Sequence, residues 1–198
     1  MPFTLFNKCV IIKKLSDEEG RFFSMSCSRE EITSRLLDSY QRYYNITIYD
    51  DAKLPLRALC EYYEAAEKYV VSRKVNLWTA KGEEFIFLYE VPVLTRELFE
   101  KHLAEAREAG MKLAHIGSGH MYTYITPVFV CDSCEPEALR MLQKCSVHKT
   151  FLFSFHGWMD VRLAVCQAAE QAVATNKAGR CMEKNLKRIL FSGRGYPT

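Results

Sequence analysis

Between Phe85 and Leu142 the chain twice passes from a β-branched, aromatic run into an amphipathic helix, and this repeated crossover restricts the fold more than any other feature. "FIFLYEV" is followed by a helix that Thr95 caps, with Leu98, Phe99, Leu103 and Ala106 facing inward and Gly110 as its expected left-handed stop. "YTYITPVFV" follows as the next strand, and a second helix comes after it, capped by Asp132 or Ser133 with Pro136 in its first turn. A strand joined to another through a helix favours parallel pairing, because the helix carries the chain back across the sheet. Pro127 within "YTYITPVFV" has no N–H to give a ladder, which predicts an edge or a bulge.

The remainder adds antiparallel pieces. Ser28 and Glu31 form a capping box ahead of Ile32, Leu36, Leu37, Tyr40 and Tyr44 at helical spacing. Leu56, Leu59, Cys60, Tyr63, Ala66 and Val70 predict a second helix beside the first. "KVNLWTAKGEEFIFLYEV" reads as two strands, 75–79 and 84–91, around a Lys-Gly turn. "KTFLFSF" reads as a strand, and "VRLAVCQ" as another that turns at "AAEQ" and returns through "AVAT", in preference to a long alanine-rich helix. "CMEKNLKRILF" closes the chain as a helix. The expected fold is a single α/β or α+β domain, 25–198, with a mixed sheet of five to six strands flanked by helices and an N-terminal helical pair. Residues 1–24 lack periodicity and read as a tail or a start-site artefact ahead of Met25.

Composition removes several function classes. The chain has 198 residues and 48% hydrophobic residues, enough for a core without covalent staples. No apolar run of about 18 residues is present, so a membrane-spanning helix is not expected. Eight scattered cysteines and no export signal point to reduced thiols and a cytoplasmic location. A net charge of +3 does not by itself argue for nucleic acid.

From "SREEITSRLLDSYQRYYNI" onward the chain resembles an uncharacterised bacterial domain family of the Firmicutes type. The resemblance runs over roughly 25–190 and is carried by "EKYVVSRKVNLWTAKGEEFIFLY", "GSGHMYTYITPVFVCD" and "KTFLFSFHGWMDVRLAV" with the later "TNKAGR". It implies no activity.

Four constellations carry chemistry. His115, His120, His156 and Asp160 offer imidazole and carboxylate to a divalent metal, with Gly117 and Gly119 letting the "HIGSGH" loop fold tightly. No H-E-x-x-H spacing supports a metal, and histidines at a helix–strand junction and in a turn account for the same residues. Crossover topology also predicts that "HIGSGH", which precedes its strand, and "HGWMD", which follows "KTFLFSF", lie at opposite ends of the sheet. Cys131 and Cys134 form a Cys-x-x-Cys ahead of a helix, a redox arrangement, but Asp132 and Glu135 disfavour thiolates. The pair is therefore expected reduced and unligated.

His156, Trp158, Asp160 and Arg162 mix an aromatic with ionisable groups as binding pockets do, and Asp160 and Arg162 share one strand face. A packed Trp with a surface ion pair accounts for them equally. Lys177 and Arg180, with Lys184, Lys187, Arg188 and Arg194 beyond, are candidates for a phosphate or nucleic-acid ligand, against the alternative of a solvated helix face. Tyr40, Tyr43, Tyr44, Tyr49, Tyr62, Tyr63 and Tyr69 read mainly as half-buried core. The function expected is a non-catalytic binding or accessory domain that needs no cofactor. A metal-dependent hydrolase, acting on phosphodiester bonds, and a thiol redox protein are the alternatives.

Overall fold

The computed structural model describes residues 27–51, 54–69 and 76–191, with side chains described outside 65–80. The expected tail, 1–24, lies outside the described residues. The elements run α1 (Arg29–Tyr40), β1 (Asn45–Ile48), β2 (Leu56–Tyr69), β3 (Asn76–Leu94), α2 (Arg96–Leu113), β4 (His120–Cys134), α3 (Pro136–Lys144), β5 (His148–Thr150), β6 (Trp158–Val161), β7 (Ala164–Gln167), β8 (Ala172–Thr175) and α4 (Arg180–Phe191). They form one mixed α+β domain.

An eight-stranded sheet in the order β1-β2-β3-β4-β6-β5 is its frame, with β7 also on β4 and β8 outside β7. The first crossover gives the expected parallel pairing of β3 with β4; the second leads into β5, which runs against β4, and β4 pairs parallel with β6 and β7 instead. The flanking hairpins are antiparallel. Helices α2 and α3 cover one face, where Phe99 and Leu142 meet Phe85, Phe87, Ile125 and Phe129. Helices α1 and α4 cover part of the other, where Ile32, Leu36 and Leu190 meet Ile86, Leu88, Val128 and Val130.

The second N-terminal helix is not formed; its residues from Leu56 to Ala66 lie in the long strand β2, and Val70 lies outside the described residues. Leu56 and Leu59 look three apart on a helix, but the register shifts between Leu56 and Ala58, so an irregularity returns both to the face of α2 and α3. Ala58 and Cys60 point to the opposite core. A strand buried on both faces loses the polar alternation that would reveal it. The helix that packs beside α1 is α4, and Arg35 of α1 donates to the Leu190 carbonyl. The sheet therefore has more strands than the sequence suggested.

The expected Lys-Gly turn is likewise absent. β3 runs through Lys81 and Gly82 without a break. Gly110 does not stop α2, which continues to Leu113. Its lack of a side chain serves close packing instead, since a Cβ there would lie 2.8 Å from Ile125. Neither Asp132 nor Ser133 caps α3, because β4 extends to Cys134 and Glu135 occupies the cap position. The caps of Ser28 and Thr95 form as expected, each side chain accepting from the amide three residues on. The hairpin through "AAEQ" also forms, as β7 and β8.

Pro127 stands in a central strand, not at an edge. β6 ends opposite Ile125 and β7 begins opposite Val128, so Pro127 faces the interruption at Arg162–Leu163. The missing N–H sits where the ladder is already broken. Asn176 fills that gap: Leu163 N donates to its Oδ1 (2.9 Å), and its Nδ2 donates to the Val161 carbonyl (2.8 Å).

Candidate functional site

The parallel register sets Tyr122 beside Trp158 and Tyr124 beside Asp160. Paired residues share a face, and alternate residues along a strand return to it. These four side chains therefore project from the face that α1 and α4 cover farther along. Tyr122, Tyr124 and Trp158 belong to neither core cluster and are each partly exposed. Their rings form a row, with centroids 4.8 Å apart for Tyr122–Tyr124 and 6.1 Å for Tyr122–Trp158.

Carboxylates surround the row. The Tyr122 hydroxyl donates to Glu64 (2.6 Å), and its ring lies so close over Gly82 that a Cβ there would be 2.2 Å from it. Glu84 accepts from Tyr44 (2.9 Å) and Thr126 (2.8 Å) and lies 3.8 Å from the Arg162 guanidinium. Arg162 in turn stacks on Tyr124 at 3.2 Å from the ring centre. His148 Nδ1 donates to Asp160 at 2.6 Å. Burial, then the Glu84 charge, hold the Tyr44 phenol far above its ordinary range, and burial and the bond to Glu64 do the same for Tyr122. Both are hydrogen-bond donors and not phenolates at any physiological pH.

On the opposite face at the same end, Glu83 is buried and holds His115 by two contacts, from the backbone amide (3.0 Å) and from ring Nδ1 (2.8 Å). The His115 side chain is 69% exposed. Its Nε2 is thereby oriented outward, the arrangement a proton acceptor needs. His120 is buried, with Nε2 2.8 Å from Thr123 Oγ1 and Nδ1 donating to the His156 carbonyl at 2.6 Å.

The segments "HIGSGH" and "HGWMD" thus meet, and the expectation that they lie at opposite ends of the sheet is corrected. The expectation takes the strands that begin near Met121 and Lys149 as parallel, but the strand at Lys149 is the short β5, which pairs antiparallel with β6 and so runs against β4, and "KTFLFSF" is extended only through Thr150. β5 ends at Thr150, and Leu152, Phe153 and Ser154 turn with left-handed φ of 45°, 50° and 69°. "HGWMD" consequently opens β6, beside the start of β4. Among the described residues no group of three His, Cys, Asp or Glu side chains is gathered for a metal ion. His115 is on Glu83, His120 on Thr123, and Asp160 on His148.

Cys131 is buried in β4 and Cys134 half-buried at its end, and both are free thiols. Burial is the main reason the Cys131 thiol is pushed up to about 12 and Cys134 to about 11; the acidic neighbour Glu135 adds to the second. Lys177 and Arg180 are exposed at the start of α4. The loop amide of Gly179 there is taken by Asn176 Oδ1 (2.8 Å). Lys187 pairs with Glu183, and Arg194 lies outside the described residues.

Trp158, Asp160 and Arg162 were legible from alternation in one strand. Tyr122, Tyr124, Glu64 and Glu84 were not, because only the register between strands places them together. The "YTY" alternation in β4 was the available signal.

Fold and site together define a mixed α+β domain with an aromatic, carboxylate-lined sheet face. The chain belongs to a family described as a domain of unknown function (DUF8052), which matches residues 28–188. No curated protein and no solved structure matches it. No described helix is long and apolar enough to cross a membrane.

Proposed function

We propose that the chain is a non-catalytic recognition domain that binds a cationic segment of a partner, an exposed Lys or Arg side chain, on the face formed by Tyr122, Tyr124 and Trp158. The observation that carries this reading is the aromatic row itself, part-exposed on the half of a sheet face that the helices leave uncovered. Aromatic faces attract cations by about 0.5–2 kcal/mol, more as water is excluded. Glu64, Glu84 and Asp160 add negative charge around the rings. Arg162 on Tyr124 makes, inside the molecule, the contact that a partner's cation would repeat. The same carboxylates disfavour phosphate, so a nucleic-acid or phosphate ligand would have to use Lys177 and Arg180 elsewhere.

The test uses a Trp78→Phe variant, which leaves Trp158 as the sole tryptophan of the chain's two. A short peptide of alternating arginine and glycine is titrated against its fluorescence. The expected result is saturable binding that weakens with salt and drops several-fold in Asp160→Asn. An unchanged signal, or binding indifferent to Asp160, ends the reading.

The hydrolase alternative draws on the outward-oriented His115 and on the meeting of the two histidine segments. Elemental analysis of purified protein, beside a His115→Ala, His120→Ala variant, tests it. A stoichiometric metal lost in the variant would favour it.

A further inference from the structure

The loop of the β5–β6 hairpin carries the two most exposed large apolar side chains among the described residues. Phe153 is 93% exposed and Phe155 81%, with Leu152 beside them at 60%. None of the three belongs to either core cluster. A single exposed apolar residue is ordinary, but three within four positions form a patch. The backbone holds them out. Leu152, Phe153 and Ser154 take left-handed φ, which residues with a side chain adopt at a cost, so the surroundings impose this turn. His120 anchors the His156 carbonyl at its base, and Phe151 packs back onto the core beneath α2 and α3.

The charge beside the tip has one sign. From Ala138 to Met159 the chain has no Asp or Glu, while Arg140, Lys144 and Lys149 are all exposed. Arg140 and Lys144 line a groove of about 510 Å³ between α2 and α3, together with Arg107. The carboxylates of that groove do not offset them, because Glu100 and Glu137 are both taken by Arg96. Among the described residues none of Arg107, Arg140, Lys144 and Lys149 is in an ion pair. Lys149 lies instead over the Phe151 ring, 5.4 Å from its centre. Helix α3 leads through β5 into the tip, and Met141, Cys145 and Phe151 pack against the same core cluster. Cations and tip therefore lie on one side of the molecule.

An apolar projection beside unpaired cations matches a surface that is apolar within and anionic at its boundary. A projecting turn gives a peptide nothing to lie in, whereas a fluid hydrocarbon layer surrounds whatever enters it. We infer that this side of the chain docks on an anionic lipid bilayer: Leu152, Phe153 and Phe155 enter the boundary between headgroups and acyl chains, and Arg107, Arg140, Lys144 and Lys149 meet the anionic headgroups. Such binding is interfacial and reversible and needs no spanning helix. It makes no use of Tyr122, Tyr124 or Trp158 and stands independently of the proposed function.

The full chain is sedimented with vesicles of phosphatidylcholine alone, and with vesicles in which roughly one lipid in three is phosphatidylglycerol. The expected result is binding about tenfold or more tighter to the anionic vesicles, weakening with salt. Replacing both Phe153→Ser and Phe155→Ser should weaken it by about tenfold or more, since the apolar part is lost. Lys144→Gln with Lys149→Gln should weaken binding to the anionic vesicles several-fold. All four side chains are exposed, so both variants should keep the urea midpoint of the unmodified chain. No binding to the anionic vesicles would overturn the inference. So would binding indifferent to the two phenylalanines or to the charge of the lipid. Sedimentation velocity without lipid gives the last outcome: a dimer that dissociates when Phe153 and Phe155 are replaced would put a second copy over the tip, and would overturn the inference as well.

Discussion

Asn176 connects four backbone groups that no secondary structure pairs. Its Oδ1 accepts from Leu163 N and Gly179 N, and its Nδ2 donates to the Val161 and Cys145 carbonyls. An amide side chain has two donors and room for two acceptor bonds, so this residue is fully satisfied, and only glutamine carries the same groups, on a longer stem. In the sequence it stood inside "TNKAGR" as part of a polar loop able to meet an anion. Nothing in one chain's spelling tells a loop polar for a ligand from a loop polar for its own backbone. Asn176→Ala is expected to lower stability by about 3 kcal/mol in urea unfolding, since it strands several buried groups at once. Asn176→Asp should be at least as damaging at neutral pH, because a carboxylate faces two carbonyls, and should recover in part as acid restores a donor. A loss below about 1 kcal/mol for the alanine variant would show that the gap is closed by other means.

At the scale of elements, the chain was most legible where periodicity and caps agreed, in α1, α2, β4 and the β7–β8 hairpin. It was misleading where a strand is buried on both faces, as in β2, whose bulge near Leu56 imitated helical spacing. It also misled where an apolar run is not a strand. "FLFSF" carries the apolar residues of a core strand, yet Leu152, Phe153 and Phe155 are exposed at the tip of a turn. One bond from outside and several within hold that turn. His120 donates to the His156 carbonyl, and the amides of Phe151, His156 and Gly157 bond within the loop. Gly157 makes the closure possible, with φ of +70° and no room for a Cβ, which would fall 2.2 Å from the Met121 carbonyl oxygen. Gly157→Ala is therefore expected to cost about 3 kcal/mol or more, from strain and displacement together. Hydrogen exchange at Phe151, His156 and Gly157 should accelerate more than exchange in β3. Uniform acceleration instead would mean that the turn is not a separate unit of stability.

Over the whole molecule, burial on both faces of the sheet leaves a signature in the pH dependence of stability. Cys60 and Cys131 are pushed up to about 12, chiefly by burial, and Cys134 to about 11. Cys166 and the phenols of Tyr40, Tyr44, Tyr89 and Tyr122 move in the same direction, again with burial as the first cause. All these groups are neutral when protonated, and all hold their proton more tightly folded than unfolded. The unfolded chain releases thiol protons near pH 8.5 and phenol protons near pH 10, at roughly their ordinary values. Above that range the folded state binds more protons than the unfolded state, so stability falls as pH rises. The contribution is whole below about pH 8.5 and disappears through the folded values near 11 to 12. Each fully linked group can contribute at most about 1.4 kcal/mol per pH unit, and the partly exposed ones less. Urea midpoints measured from pH 7 to 11 should stay level to about 8.5 and then decline steeply, with the thiols leading and the phenols following. A midpoint that holds level to pH 11 would mean that these groups reach solvent in the native state. The two-faced burial on which the fold rests would then be wrong.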